Sequence, residues 1–164
     1  MSVIWRFFAA RKARALDRIL PEPGKVSTKI GANGQDTPRP LILIVASHEL
    51  VREVLREWLS VKFSDCRCVT TSTGEEALAI ACAEGPDVVI VELDVPDSGG
   101  AETLRTIRRA CPRSHLVVLS EHAEEVNRIS AESESVGSFV CKQKIDAELP
   151  PLIRTILADR IGRG

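Results

Sequence analysis

The chain has 164 residues, enough for one compact domain with a buried core and too few for two full ones. Its formal net charge of −1 is the sum of a basic stretch over residues 1–40 (eight Lys/Arg against three Asp/Glu) and an acidic remainder (fourteen against twenty). An acidic domain is poorly suited to neutralising phosphates, so nucleic-acid binding is not expected of it, and no apolar run approaches the roughly 20 residues needed to span a bilayer.

Residues 1–21 read as a basic amphipathic segment. Ile4, Phe8, Ala15 and Ile19 share one face of a helical wheel, flanked by Trp5 and Leu16. Arg6, Arg11, Lys12, Arg14 and Arg18 stand against Asp17 alone, while Val3 and Phe7 lie off the face and Lys12 interrupts it. The pattern fits a helix lying on a membrane surface through residues 1–20, or a partner-binding helix. It equally fits a frayed extension or upstream sequence translated from a misassigned start. The order of a secretory signal (basic, then apolar, then small) is not present.

Residues 22–40 (EPGKVSTKIGANGQDTPRP) have almost nothing to bury and read as a flexible linker. From Leu41 to residue 160, apolar strands alternate with helical patterns. Leu41–Ala46 is a continuous apolar run, as in a strand buried on both faces. Glu49–Lys62 repeats Leu50, Val51, Val54, Leu55, Trp58 and Leu59 at threes and fours, an amphipathic helix. Cys66–Thr71 is a short β-rich run. Thr73 and Glu76 form a capping box that opens a helix running to Glu84, where Gly85 and Pro86 stop it. Val88–Val91 is a second buried strand. A helix from Thr103 to Ala110 ends at Pro112, and Leu116–Leu119 is a third buried strand. A more polar helix runs from Glu121 to about Glu132, followed by a short strand at Phe139–Cys141. A closing helix over Asp146–Asp159 turns Leu149, Leu152, Ile153, Ile156 and Leu157 inward, with Pro150 and Pro151 expected in its first turn.

Five strands alternating with five helices through short connections predict an α/β fold, a doubly wound five-stranded parallel sheet with right-handed crossovers. Such a sheet works at the carboxyl ends of its strands. Ala46, Ser47, His48 and Glu49 follow strand one. Glu92 ends strand three, Ser120 strand four and Lys142 strand five. A carboxylate, a hydroxyl and an ammonium in one crevice fit a holder of a phosphoryl group or ion. They also fit a salt bridge with a hydroxyl beside it, and ion pairs at strand ends are common.

Three segments, VASHELVREVLREWL, PDVVIVELDVPDSGG and FVCK, together resemble the signature segments of response-regulator receiver domains, especially those joined to helix-turn-helix outputs. The resemblance spans residues 41–159 in the expected order and implies a (βα)5 receiver-like, flavodoxin-like sandwich. It places the family's Mg²⁺-binding acidic pair on Ala46 and Ser47, neither of which is charged. The phosphoacceptor aspartate falls on Glu92, the phosphoryl-contacting hydroxyl on Ser120, the lysine on Lys142 and the switch aromatic on Phe139. Gln143 stands where proline usually follows the lysine, and the Ala-Gly-rich turn is degraded to residues 134–138.

The departures set the expectations. Mg²⁺ demands oxygen ligands in near-octahedral order, usually with one or two carboxylates, so its binding is expected to be lost and no cofactor is expected. Glu92 carries its oxygen one methylene further out than aspartate, a misplacement that weakens phosphoryl transfer. The expected role is an atypical, non-enzymatic single-domain receiver in phosphorelay signalling that acts by phosphorylation-independent protein–protein interaction. Partners would be a histidine kinase or downstream effector, meeting the face of the fourth helix, fifth strand and fifth helix (Arg128, Phe139, Lys144), or a second copy. Two alternatives are a phosphorylatable receiver that uses Glu92 and an adaptor tethered to the membrane by the N-terminal helix. A Glu92–Lys142 pair is expected; it either imitates the activated state or is a by-product of drift. The chain ends four residues after Arg160, so an output domain is not expected. The location implied is cytoplasmic, or peripheral at the inner membrane face.

Smaller features have plain readings. The capping box accounts for Ser72, Thr73 and Gly74, which otherwise resemble a flavin phosphate loop. His48 and His122 border the site and His115 opens strand four; for His48 a surface or helix-entry role suits better than metal ligation. Cys66, Cys68, Cys82, Cys111 and Cys141 are odd in number and lack disulfide or zinc spacing, so reduced, mostly buried thiols are expected.

Overall fold

The computed structural model describes residues 39–93, 99–121 and 137–161. The expected N-terminal helix and fourth helix (with His122 and Arg128), nearly all of the expected linker, and residues 94–98 lie outside the described residues.

The sheet has the order β2 (Arg67–Thr71), β1 (Leu41–Val45), β3 (Val88–Glu92), β4 (His115–Ser120), β5 (Ser138–Cys141), and every pair is parallel. β1 and β3 are buried at every residue, because their apolar runs sit mid-sheet with helices over both faces. The helices described are α1 (Glu49–Lys62), α2 (Gly74–Glu84), α3 (Gly99–Ala110) and α4 (Ile145–Ile161). The last of these is the fifth helix of the sequence pattern.

Side chains alternate across the sheet. Leu43, Val45, Val89, Val91, Leu116 and Val118 pack with Ala77 and Ala81 of α2 and Leu104 and Ile107 of α3. Ile42, Ile44 and Ile90 point to the opposite face, the side of α1 and α4, whose Leu55, Leu59, Leu149 and Ile153 are buried. The buried Asp87 ties the frame together at the far end of the sheet. Its Oδ2 accepts the Leu41 N–H at 2.7 Å, and its carboxylate pairs with Arg160 in the last turn of α4.

Several expectations change in detail. The helix expected from Thr103 begins at Gly99; Gly99 and Gly100 are poor helix formers, which hides this first turn from the sequence pattern. Pro150 and Pro151 lie in the second turn of α4, since that helix begins at Ile145 after a 3₁₀ turn at Lys142–Lys144. They remove the donors for the Asp146 and Ala147 carbonyls, both on exposed residues that water can reach. The capping box is half closed. Thr73 Oγ1 accepts the Glu76 N–H at 3.2 Å, but the Glu76 carboxylate turns to Thr71 Oγ1 at 2.5 Å. Gly85 ends α2 with a left-handed φ of 59°.

Candidate functional site

β1 is flanked by β2 on one side and β3 on the other, so the chain reverses its winding direction there and opens a crevice at the carboxyl ends of the strands. Glu92 ends β3, and Ser120 ends β4 opposite Cys141, one residue before Lys142. Glu92 and Ser120 are each 2% exposed and Lys142 is 8% exposed. Lys142 Nζ donates to Glu92 Oε1 at 2.5 Å. The expected pair therefore forms, and it forms out of water, where attraction between unit charges is far stronger than at the surface. The second carboxylate oxygen, Oε2 of Glu92, is buried and accepts no hydrogen bond.

Ala46 is fully buried at the end of β1, and its N–H donates to the Thr71 carbonyl at 3.1 Å. Ser47 is half-buried beside it. The sequence reading missed what holds this turn. Arg52, in the first turn of α1, donates through Nη1 to the carbonyls of Ala46 at 2.8 Å and Ser47 at 2.7 Å. The Thr71 hydroxyl and the Ser72 backbone hold the Glu76 carboxyl below the usual carboxylate range, with a smaller pull from the Arg52 charge. A guanidinium thus occupies the inner side of the turn where the family has its acidic pair. The available signal was Arg52 itself, an arginine in the first turn of the helix after strand one.

These residues do not match the donor set of a hard divalent cation. Among the described residues at the carboxyl ends of the strands, Glu92 is the terminal carboxylate, and one of its oxygens is held by an ammonium. Among the described residues no three His, Cys, Asp or Glu side chains gather closely enough to hold a metal.

The remaining candidates scatter. Phe139 is half-buried and packs against the core cluster on the α2–α3 side. His48 is the exposed N-cap residue of α1 and makes no side-chain cap bond. His115 lies at the opposite end of the sheet, with Nε2 2.9 Å from Ser138 Oγ. The five cysteines are free thiols, of which Cys111 is buried and Cys82 exposed. Burial raises the pKa values of Cys66, Cys68 and Cys111.

Comparison with known proteins agrees with this architecture. The model of the response regulator receiver domain matches residues 42–154. The chain is 30% identical over 117 residues to the transcriptional activator protein ExaE of Pseudomonas putida, covering 71% of this chain and 55% of that protein. It is 29% identical over 118 residues to the KDP operon transcriptional regulatory protein KdpE of Escherichia coli, covering 71% and 50%. The chain thus spans about half the length of the curated relatives it matches. Among solved structures, the signal receiver domain of an HD domain-containing protein from Pseudomonas fluorescens superimposes with a TM-score of 0.68 at 21% identity, covering 80% of this chain and 96% of that one. That likeness concerns the fold. The match over residues 42–154 spans most of the chain, which belongs to the response regulator receiver domain family of bacterial two-component systems.

Proposed function

We propose that this chain is a receiver that signals by protein–protein interaction without being phosphorylated and without a reaction of its own. The observation that carries the reading is the buried Glu92–Lys142 bridge. The lysine that would meet an incoming phosphoryl group already holds a carboxylate, and no charged pair stands at Ala46 and Ser47 to recruit Mg²⁺. Phosphoryl transfer rests on positioning and on neutralisation by metal and cation, and this crevice supplies neither freely.

With the bridge in place, the face that includes Phe139, Lys144 and the outer side of α4 holds one dominant arrangement. That face binds a histidine kinase, a downstream effector or a second copy constitutively, at a cytoplasmic location. Intact-mass analysis after incubation with acetyl phosphate and Mg²⁺ tests the reading. An unchanged mass is expected. A gain of one phosphoryl group mapped to Glu92 would establish the phosphorylatable alternative instead. The membrane-tethered reading rests on the basic pattern of residues 1–20. It predicts that the full chain sediments with anionic liposomes at low salt and is released as salt rises. Among the described residues no helix is long and apolar enough to cross a membrane.

A further inference from the structure

The domain is electrically polar along its strands. All five run parallel, so their amino ends gather at one end of the sheet, and the helices return the chain there. Arg39 precedes β1, Lys62 ends α1, Arg108 and Arg109 close α3, and Arg113 stands in the turn before β4. Arg67 and Arg160 also lie at this end, paired with Glu84 and Asp87. Asp65 and Asp159 are its remaining acids among the described residues, so cations prevail there by five to two. The crevice end is the reverse. Glu49, Glu75, Glu76, Asp146 and Glu148 open the helices, facing Arg52 and Lys144.

Helix carboxyl ends attract cations, which accounts for Lys62, Arg108 and Arg109. Arg39 and Arg113 belong to no helix. Each stands two residues before its strand, and β1 and β4 are two strand spacings apart across β3, about 10 Å. Arg108 donates to the Ser114 carbonyl at 2.8 Å. Arg39, Arg109 and Arg113 are exposed and form no ion pair among the described residues.

The chain enters the domain at this same end. Residues 1–38 carry seven Lys/Arg against three Asp/Glu, and Trp5, Phe7 and Phe8 are three of the six aromatic residues in the sequence. Basic and large apolar residues in one segment suit the interface of an anionic bilayer, whereas a nucleic-acid backbone would use only the charge. We propose that the basic end of the sheet rests on an anionic lipid surface through Arg39, Arg109 and Arg113. The acidic crevice end is then directed away from the membrane, since an acidic domain approaches an anionic surface only by its basic end. This orientation rests on the membrane-tethered reading and adds the surface of the domain that meets the lipid. It is independent of the Glu92–Lys142 bridge at the opposite end.

Sedimentation of the full-length chain with vesicles of phosphatidylglycerol and phosphatidylcholine, read as an apparent Kd, tests it. Each cation close to an anionic surface strengthens binding about fivefold. R109Q and R113Q are each expected to weaken binding about fivefold, and the double variant about 25-fold. R113K keeps the charge and should bind as the wild type does. R56Q removes the same charge halfway along α1 and should change binding by no more than about twofold. Wild-type binding by the double variant would leave residues 1–20 as the tether and overturn the orientation. An equal loss in R56Q, or failure of R113K to bind, would overturn it as well. No binding of the wild type to vesicles, or stronger binding to duplex DNA at the same salt, would remove the tether and the orientation together.

Discussion

Lys142 Nζ lies 2.5 Å from Oε1 of Glu92, with the two side chains only 8% and 3% exposed. Desolvating both charges costs several kcal/mol each, and their attraction offsets this only while both are present. Removing one partner should therefore hurt more than removing both. Glu92→Gln and Lys142→Met are each expected to destabilise by about 3–5 kcal/mol, and Glu92→Leu with Lys142→Met by much less. Urea midpoints of the three variants give the cycle. Additive single losses would mean that the two groups do not depend on each other.

The chemistry of the crevice predicts a specific failure and a specific rescue. Glu92→Asp alone should not allow phosphorylation by acetyl phosphate in Mg²⁺, because the shorter carboxylate still lacks metal ligands at residues 46 and 47. Combining it with Ala46→Asp and Ser47→Asp restores the hard-oxygen set that Mg²⁺ prefers. Phosphoryl incorporation, read by intact mass, should appear only in the triple variant. Incorporation in Glu92→Asp alone would show that the metal ligands are dispensable here.

Arg52 holds the turn after β1 through two backbone carbonyls. Arg52→Ala should leave the buried Ala46 carbonyl short of a donor and cost about 1–3 kcal/mol. Arg52→Lys keeps a charge but loses the planar fork, so an intermediate loss is expected. Hydrogen exchange should accelerate at residues 46–49 in Arg52→Ala and stay unchanged in β4. Uniform acceleration across the sheet would make Arg52 a general stabiliser and not a clamp on this turn.

The strand ends were legible because alternation of apolar runs with helical periods forces a parallel sheet, and such a sheet brings Glu92, Ser120 and Lys142 together whatever the loops do. Helix limits were less legible. Gly99 and Gly100 suppress the helical signal of the first turn of α3, which packing against α2 overrides. The prolines of α4 read as a first turn, because the preceding 3₁₀ turn at Lys142–Lys144 and the register of Leu149 and Ile153 against the sheet are tertiary properties. Arg52 escaped notice for a similar reason. A side chain that bonds backbone carbonyls leaves no complementary residue type in the sequence, and only the path of the turn reveals it. The Glu76 carboxylate shows the same limit, since Thr71 on the neighbouring strand competes with the box it was expected to close.

The last relationship with a measurable consequence is at the other end of the sheet, where His115 opens β4. Its imidazole meets Ser138 Oγ at 2.9 Å, and a Cβ added at Gly137 would come within 2.8 Å of Nε2, so the ring is pinned under the strand entry. Burial lowers its pKa below the ordinary 6.5, Arg108 lowers it further, and Asp159 opposes them. The folded state therefore resists protonation more than the unfolded chain does. Its contribution is fully present above about pH 6.5 and is lost as pH falls toward the lower folded value, levelling off below that. Glu76 acts in a separate window, losing its contribution only as pH falls below the ordinary glutamate value of 4.5. His115→Gln keeps a partner for Ser138 but does not titrate. Denaturation midpoints between about pH 7 and 5 should fall in the wild type and stay nearly flat in His115→Gln. Parallel curves for the two proteins would place the pH dependence on another group.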